Sequence, residues 1–211
     1  MERNMNRNPC EEHYRIYEDF VRDLRHDNRY PFIRNVSNYN GEQIIKLCPS
    51  QHQFVTSYQQ KKITESFIDF LKNETNPIVE MQVCTIANQK VFDAICNQKN
   101  LESLRIKCFR GKDISNITKL NKLKKLFIES GSAIEDISPL IDLKQLEVLI
   151  LGETKRIYDY SCLSNLQNLK VLGICKYQTS VSGIGLKMKS DMFIKDMPNL
   201  EWVDFVDCKI G

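Results

Sequence analysis

One hydrophobic phrase recurs in register along the chain and limits its fold more than any other feature. It reads Leu101-Glu-Ser-Leu104-Arg-Ile106, Leu123-Lys-Lys-Leu126-Phe-Ile128, Leu146-Glu-Val-Leu149-Ile-Leu151 and Leu169-Lys-Val-Leu172-Gly-Ile174. The starts are 22, 23 and 23 residues apart (123 − 101, 146 − 123, 169 − 146). A unit of this length cannot bury its apolar face alone, so neighbouring units must stack and share a continuous core, which predicts a solenoid. Two further copies fit: Ile78-Val-Glu-Met81-Gln-Val83, 23 before Leu101 (101 − 78), and Leu200-Glu-Trp-Val203-Asp-Phe205, 31 after Leu169 (200 − 169). The surplus in the last interval falls within 179–190 and is read as an insertion.

A second phrase keeps the same period. Asp113-Ile-Ser115, Asp136-Ile-Ser138 and Asp159-Tyr-Ser161 are each followed by apolar residues at fixed offsets: Ile117 and Leu120, Leu140 and Leu143, Leu163 and Leu166. Asp and Ser side chains accept hydrogen bonds from the free N–H groups of a starting helical turn, and Pro139 has the fixed φ that such a turn tolerates. Each repeat is therefore predicted as strand, loop, short helical turn, loop.

Ile137-Ser-Pro-Leu140, followed by Leu143, Leu146, Leu149 and Leu151, resembles the consensus of leucine-rich repeat proteins of the phosphatase-regulator and internalin type. The resemblance covers about residues 78–211. It implies an α/β leucine-rich repeat solenoid with a curved parallel sheet and short helical turns on the convex side. One column departs from the family, which places Asn or Cys at the ninth position to bond the loops of adjacent repeats. Here it reads Phe109, Gly131, Thr154, Tyr177 and Cys208, so only Thr154 and Cys208 are suited to that role.

Residues 1–77 lack the repeat and are predicted to form a mainly helical cap or accessory region, with the repeat domain at 78–211. Tyr14, Tyr17, Phe20, Val21 and Leu24 recur at helical spacing within 10–27, with Glu11, Glu12, Arg15, Arg22 and Arg25 around the other side, which describes an amphipathic helix. A short helix is expected over 41–48, before Pro49, and another over 61–71 with Ile63, Phe67, Ile68 and Leu71 on one stripe. Terminal repeats of a solenoid need such a covering element. At the other end, Ile184, Leu186 and Met188 of the insertion are expected to shield the last apolar layer.

The net charge of +3 gives no clustered basic face of the kind nucleic-acid or membrane binding requires. No stretch approaches the apolar length of a membrane helix, and the first residues lack a secretory pattern, so the expected location is cytoplasmic. The eight cysteines contain no C-x-x-C pair and are expected to be free thiols in a monomer.

Chemistry-bearing motifs are sparse. Cys48-Pro-Ser-Gln-His52 places a thiol near an imidazole, but sequence proximity sets neither a catalytic dyad nor a four-ligand metal site. Ser182-Gly-Ile-Gly185 lacks the third glycine of a phosphate-binding loop. No catalytic residue, cofactor or metal is therefore assigned.

Alternation along each strand sorts the phrase by direction: the first, fourth and sixth positions point inward, and the second, third, fifth and seventh populate the strand surface and its margins. The second column, Glu102, Lys124, Glu147, Lys170 and Glu201, is a charge ladder. The third reads Ser103, Lys125, Val148, Val171 and Trp202, and the fifth Arg105, Phe127, Ile150, Gly173 and Asp204. These columns turn apolar toward the only tryptophan, and an exposed apolar patch commonly marks a contact site. Arg105, Lys125, Phe127, Val148, Ile150, Val171 and Trp202 are thus the expected partner-binding residues, unless the N-terminal segment or the insertion folds over them. If the face is open, replacing Ile150 and Trp202 with Glu should abolish capture with little effect on stability.

The expected function is a non-enzymatic protein-protein interaction module that uses its concave strand face. Two alternatives have other consequences: an enzyme or effector with its activity in residues 1–77, and a fragment of a longer repeat array.

Overall fold

The computed structural model describes residues 30–175 and 185–211. Among the described residues, ten strands and two α-helices carry the fold. In chain order they are β1 (Phe32–Ile33), β2 (Ile44–Leu47), α1 (Ser57–Leu71), β3 (Glu80–Ala87), α2 (Gln89–Ile95), β4 (Ser103–Phe109), β5 (Lys125–Ile128), β6 (Val148–Gly152), β7 (Val171–Cys175), β8 (Leu186–Met188), β9 (Trp202–Val206) and β10 (Cys208–Ile210).

Strands β1 to β7 and β9 form one parallel sheet in chain order, skipping only β8. The register follows the repeated phrase. Its fourth positions, Met81, Leu104, Leu126, Leu149, Leu172 and Val203, are partners across successive strands. Leu104, Ile106, Leu126, Ile128, Leu149, Leu151, Leu172 and Ile174 are all fully buried, as the inward positions require.

Each predicted helical turn is a single 3₁₀ turn: Ser115–Lys119, Ser138–Asp142 and Ser161–Asn165, with a fourth at Met192–Asp196. The Asp of each recurring phrase starts its turn by accepting the N–H of the Ser two residues on, at 2.7 Å for Asp113, 2.8 Å for Asp136 and 2.9 Å for Asp159. The turn residues Ile117, Leu140 and Leu163 then reach the core beneath the strands.

Two longer helices replace the 3₁₀ turns at the start of the stack and pack against each other. Helix α1 contains the stripe expected over 61–71 but begins earlier, because Thr56 and Gln59 form a reciprocal capping box. Helix α2 starts where the Asn88 side chain accepts the Val91 N–H at 3.0 Å, and it buries Val91, Phe92, Ala94 and Ile95.

The expectation of a helix over 41–48 is corrected: Ile44–Leu47 is strand β2, parallel to β3. Ile45 and Leu47 enter the core while Lys46 faces the other way, a period of two that a helix cannot satisfy. Within residues 30–77 the longest element is α1, of 15 residues, and β1 and β2 continue the repeat sheet.

Near the C-terminus, β8 and β10 form a separate two-stranded parallel sheet. Leu186 and Met188 of the expected insertion are buried in the main core. Ile184 lies outside the described residues, as does the predicted helix over 10–27.

Candidate functional site: the strand face

Parallel register converts the outward columns into rows of touching side chains. One row runs Ser103, Lys125, Val148, Val171, Trp202. The other runs Phe32, Lys46, Gln82, Arg105, Phe127, Ile150, Gly173, Asp204. All seven residues expected to bind a partner therefore lie on one face, on five consecutive strands of the sheet.

Their exposure differs from the sequence expectation. Phe127 and Val171 are 0% exposed, Ile150 1%, and Arg105 and Val148 3%, whereas Lys125 and Trp202 are half-buried. The face is not an open apolar patch. Phe127, Val148, Ile150, Val171 and Cys175 form an apolar cluster of their own, with Trp202 packed against it, separate from the main core. Every described member of this cluster belongs to a strand. Replacing Ile150 with Glu would place a charge in a dry site, so the expectation of unchanged stability is withdrawn.

The polar half of the face is buried too. Lys46 and Arg105 are 3% exposed and Gln82 7%. The Arg105 guanidinium lies over the Phe127 ring, joining the polar and apolar halves. Lys46 and Gln82 were missed because the two columns were read only from the Leu101 phrase onward, while Gln82 holds the fifth position of the Ile78 phrase and Lys46 lies on β2 before it. The apolar fourth and sixth positions of β2, Ile45 and Leu47, are the signal that would have placed Lys46. Cys175, at the seventh position of its phrase, was also missed.

Below these rows the charge ladder forms as its column predicts. Lys124 reaches Glu102 at 2.7 Å and Lys170 reaches Glu147 at 2.8 Å, each with about two-fifths of its side chain exposed. Exposed pairs of this kind contribute about 0.2–1 kcal/mol each and do not form a ligand site.

The ninth-position column behaves unevenly. Cys208 Sγ donates to the Ile174 carbonyl at 3.3 Å, a bond to the neighbouring repeat's backbone. Thr154 is fully buried, but its hydroxyl pairs with the Tyr160 hydroxyl at 2.8 Å. Phe109 fills its position with an aromatic ring packed on Phe92, 4.7 Å between centroids.

Cys48 and His52 form no nucleophile-base pair. His52 Nε2 meets the Cys48 carbonyl oxygen at 2.6 Å, so the imidazole secures the loop. Burial also pushes the Cys48 thiol up to about 11, which keeps it protonated and weakly nucleophilic near neutral pH. Among the described residues, no group of three or more His, Cys, Asp or Glu side chains is placed to hold a metal, and no helix is long and apolar enough to cross a membrane.

A parallel sheet built from a phrase that recurs every 22 to 23 residues, with one 3₁₀ turn between successive strands from β4 to β7, gives this chain the fold of a leucine-rich repeat solenoid. A family model described as R13L1/DRL21 LRRs matches residues 59–154, a little under half of the chain. No curated protein matches.

Among solved structures, the chain is similar to an internalin, InlF, of Listeria monocytogenes. The two share 16% identity over 79% of this chain and 48% of the other, with a TM-score of 0.44. A leucine-rich repeat protein of Leptospira interrogans aligns at 16% identity over 79% of this chain and 39% of its own, with a TM-score of 0.45. Internalin C2 of Listeria monocytogenes aligns at 18% over 68% and 67%, with a TM-score of 0.40. The chain spans less than half the length of the first two.

Proposed function

We propose that this protein is a non-enzymatic interaction module that holds an apolar segment of a protein partner across its strand face. One observation carries the reading: the second apolar cluster, whose described members are strand side chains on the side away from the repeat core. The repeats are already held together by the core on their other side. A contiguous apolar row on the remaining face suits a chain segment laid across the strands. Arg105, Lys125, Phe127, Val148, Ile150, Val171 and Trp202 are the contact residues in this reading, with the aromatic and Arg side chains as anchors. Residues 1–77 cap the repeats at 78–211.

The protein acts as a monomer in the cytoplasm in this account. Support for a reducing compartment comes from the seven described cysteines, all of them free thiols.

Lys125 and Trp202 allow a test because both are half-buried and their replacement leaves the centre of the cluster intact. Lys125→Glu and Trp202→Ala should each keep the thermal midpoint close to that of the unmodified protein. Both should lose a protein that the unmodified chain retains stoichiometrically from native cell extract. Identical retention by all three folded proteins would refute the strand face as the partner site.

A further inference from the structure

We infer that the loop 48–56, between β2 and α1, docks on the surface of an anionic lipid bilayer, with the Phe54 ring entering the acyl boundary and nearby cations meeting the headgroups. The inference is independent of the strand face and adds a second contact surface near the opposite end of the sheet from β9.

Phe54 is 102% exposed, so its ring projects fully into solvent. Its φ is 60°, in the left-handed region that a bulky residue rarely adopts. Gln51, in the same loop, has φ 59°. Neither backbone preference nor core packing therefore accounts for a phenylalanine at this position. Backbone strain of this kind persists where the surrounding structure enforces it, and it gathers at binding sites.

The surroundings do enforce it. The Ser50 N–H donates to Thr85 Oγ1 at 3.2 Å and the Ser50 hydroxyl to the Ile86 carbonyl at 2.8 Å, which ties the start of the loop to β3. The Thr64 hydroxyl donates to the Pro49 carbonyl at 2.7 Å, and the His52 N–H to Gln60 Oε1 at 2.8 Å, which ties the loop to α1. Beyond Phe54, Thr56 caps α1. The ring is thus held out in one position before any contact forms, which lowers the entropy cost of binding.

The chemistry around the ring selects the partner. A hot spot for a protein lies inside a packed patch whose rim excludes water. Phe54 instead stands among exposed uncharged polar residues, Gln51, Gln53, Thr56 and Ser57. A single projecting ring suits a medium that yields to it. Tyr58, 69% exposed, has Lys62 Nζ 5.8 Å from its ring centroid, and tyrosine and basic side chains are favoured where a membrane meets water. Residues 43–64 contain three lysines and no Asp or Glu. Lys61 and Lys62 keep 75% and 61% of their side chains exposed. At the base of the loop, burial raises the Cys48 thiol, and the charges that act on it are all cations: Arg34, Lys107 and Lys46. The net charge of +3 averages over this local excess, so composition did not reveal it. Basic side chains beside an inserting apolar group are what the negative potential of an anionic bilayer attracts.

Two experiments on the full chain test this. In the first, the protein is sedimented with vesicles of phosphatidylcholine alone, or of phosphatidylcholine and phosphatidylserine in equal parts. The unmodified protein should pellet with the mixed vesicles and stay in solution with the neutral ones. Phe54→Asn removes the ring at a backbone conformation that Asn tolerates, so its thermal midpoint should equal or exceed that of the unmodified protein. Its partition onto mixed vesicles should fall about tenfold or more. Lys61→Ala combined with Lys62→Ala should lower partition by about fivefold per lysine. Failure of the unmodified protein to pellet with mixed vesicles, the outcome if Phe54 fills a pocket on a protein, would overturn the inference. So would equal pelleting with neutral vesicles, or undiminished pelleting of Phe54→Asn.

The second experiment places a reporter at the tip. Phe54→Trp should add emission that moves to shorter wavelength on mixed vesicles and is quenched when the lipid tails carry bromine. Trp202 on β9 lies six strand spacings from β2, about 29 Å, and should show neither change in the unmodified protein. Unquenched added emission from vesicle-bound Phe54→Trp would place the ring outside the acyl region and overturn the inference.

Discussion

The Arg105 guanidinium carbon lies 4.6 Å from the centroid of the Phe127 ring. The two residues are direct register partners on β4 and β5, and both are almost fully buried. A desolvated cation over an aromatic face contributes about 2 kcal/mol, against about 0.5–1 kcal/mol at exposed sites. A double-mutant cycle with Arg105→Ala and Phe127→Leu should therefore give a coupling energy of about 1–2 kcal/mol in denaturant unfolding. Arg105→Lys should recover part of it, because the charge returns but the planar group that stacks does not. Strict additivity would mean that the contact has no energetic content.

The repeat register makes a contrasting pair of substitutions informative. Leu149 is fully buried at a fourth position, and Leu149→Ala should cost about 2–5 kcal/mol as a cavity opens between adjacent repeats. Lys124, paired with Glu102 at 2.7 Å, is exposed over two-fifths of its side chain. Lys124→Ala should cost less than about 1 kcal/mol, and the loss should shrink as salt is added. Urea midpoints of the two variants check both statements.

Sequence and structure agree where periodicity is strict. From Met81 to Val203 the phrase positions pair across neighbouring strands, because a slip of one residue would turn every apolar side chain outward. Agreement weakens where the period breaks. Strand β2 was read as a helix because its phrase begins at Glu42 in place of an apolar residue and stands 36 residues before Ile78 (78 − 42). The location of the strand-face residues was legible, since alternation fixes which side chains share a face. Their burial was not. Whether Phe127 meets water depends on side chains distant in sequence, such as those of Val148, Ile150 and Val171 in its cluster, and no local pattern around Phe127 encodes them.

Glycine at position 152 is required by close approach. A Cβ added there would fall against the backbone carbonyl of Glu129, the residue that follows the neighbouring strand β5, and backbone held to a sheet cannot move aside cheaply. At Gly173 the nearest obstacle is the Cδ1 tip of Ile150 at 2.7 Å, which a rotamer change can clear. Gly152→Ala should destabilise by about 1–3 kcal/mol or more, and Gly173→Ala by clearly less. Thermal unfolding of the two variants side by side provides the comparison; equal losses would show that the sheet adapts at both positions.

Alkaline pH should unfold the protein through groups that the fold keeps protonated. Burial pushes the thiols of Cys84 and Cys175 from 9.0 up to about 12, and the Tyr160 hydroxyl from 10.0 up to about 12. For Tyr160, the hydrogen bond with Thr154 opposes the shift and burial dominates. Between the unfolded and folded values the native state binds more protons than the unfolded chain, so stability falls as pH rises. Below about pH 8 these groups are protonated in both states and contribute no slope. Urea midpoints should thus be level up to about pH 8 with respect to these groups, then decline through about pH 9 to 12. Cys175 sits in the strand-face cluster and Cys84 on β3 in the same sheet. If their desolvation is the cause, combining Cys84→Ala with Cys175→Ala should flatten part of that decline. Iodoacetamide should modify both thiols slowly in the native protein and rapidly in urea, because the protonated, enclosed thiol is a poor nucleophile. Fast native alkylation of Cys175 would show that this thiol is open to solvent, contrary to its burial.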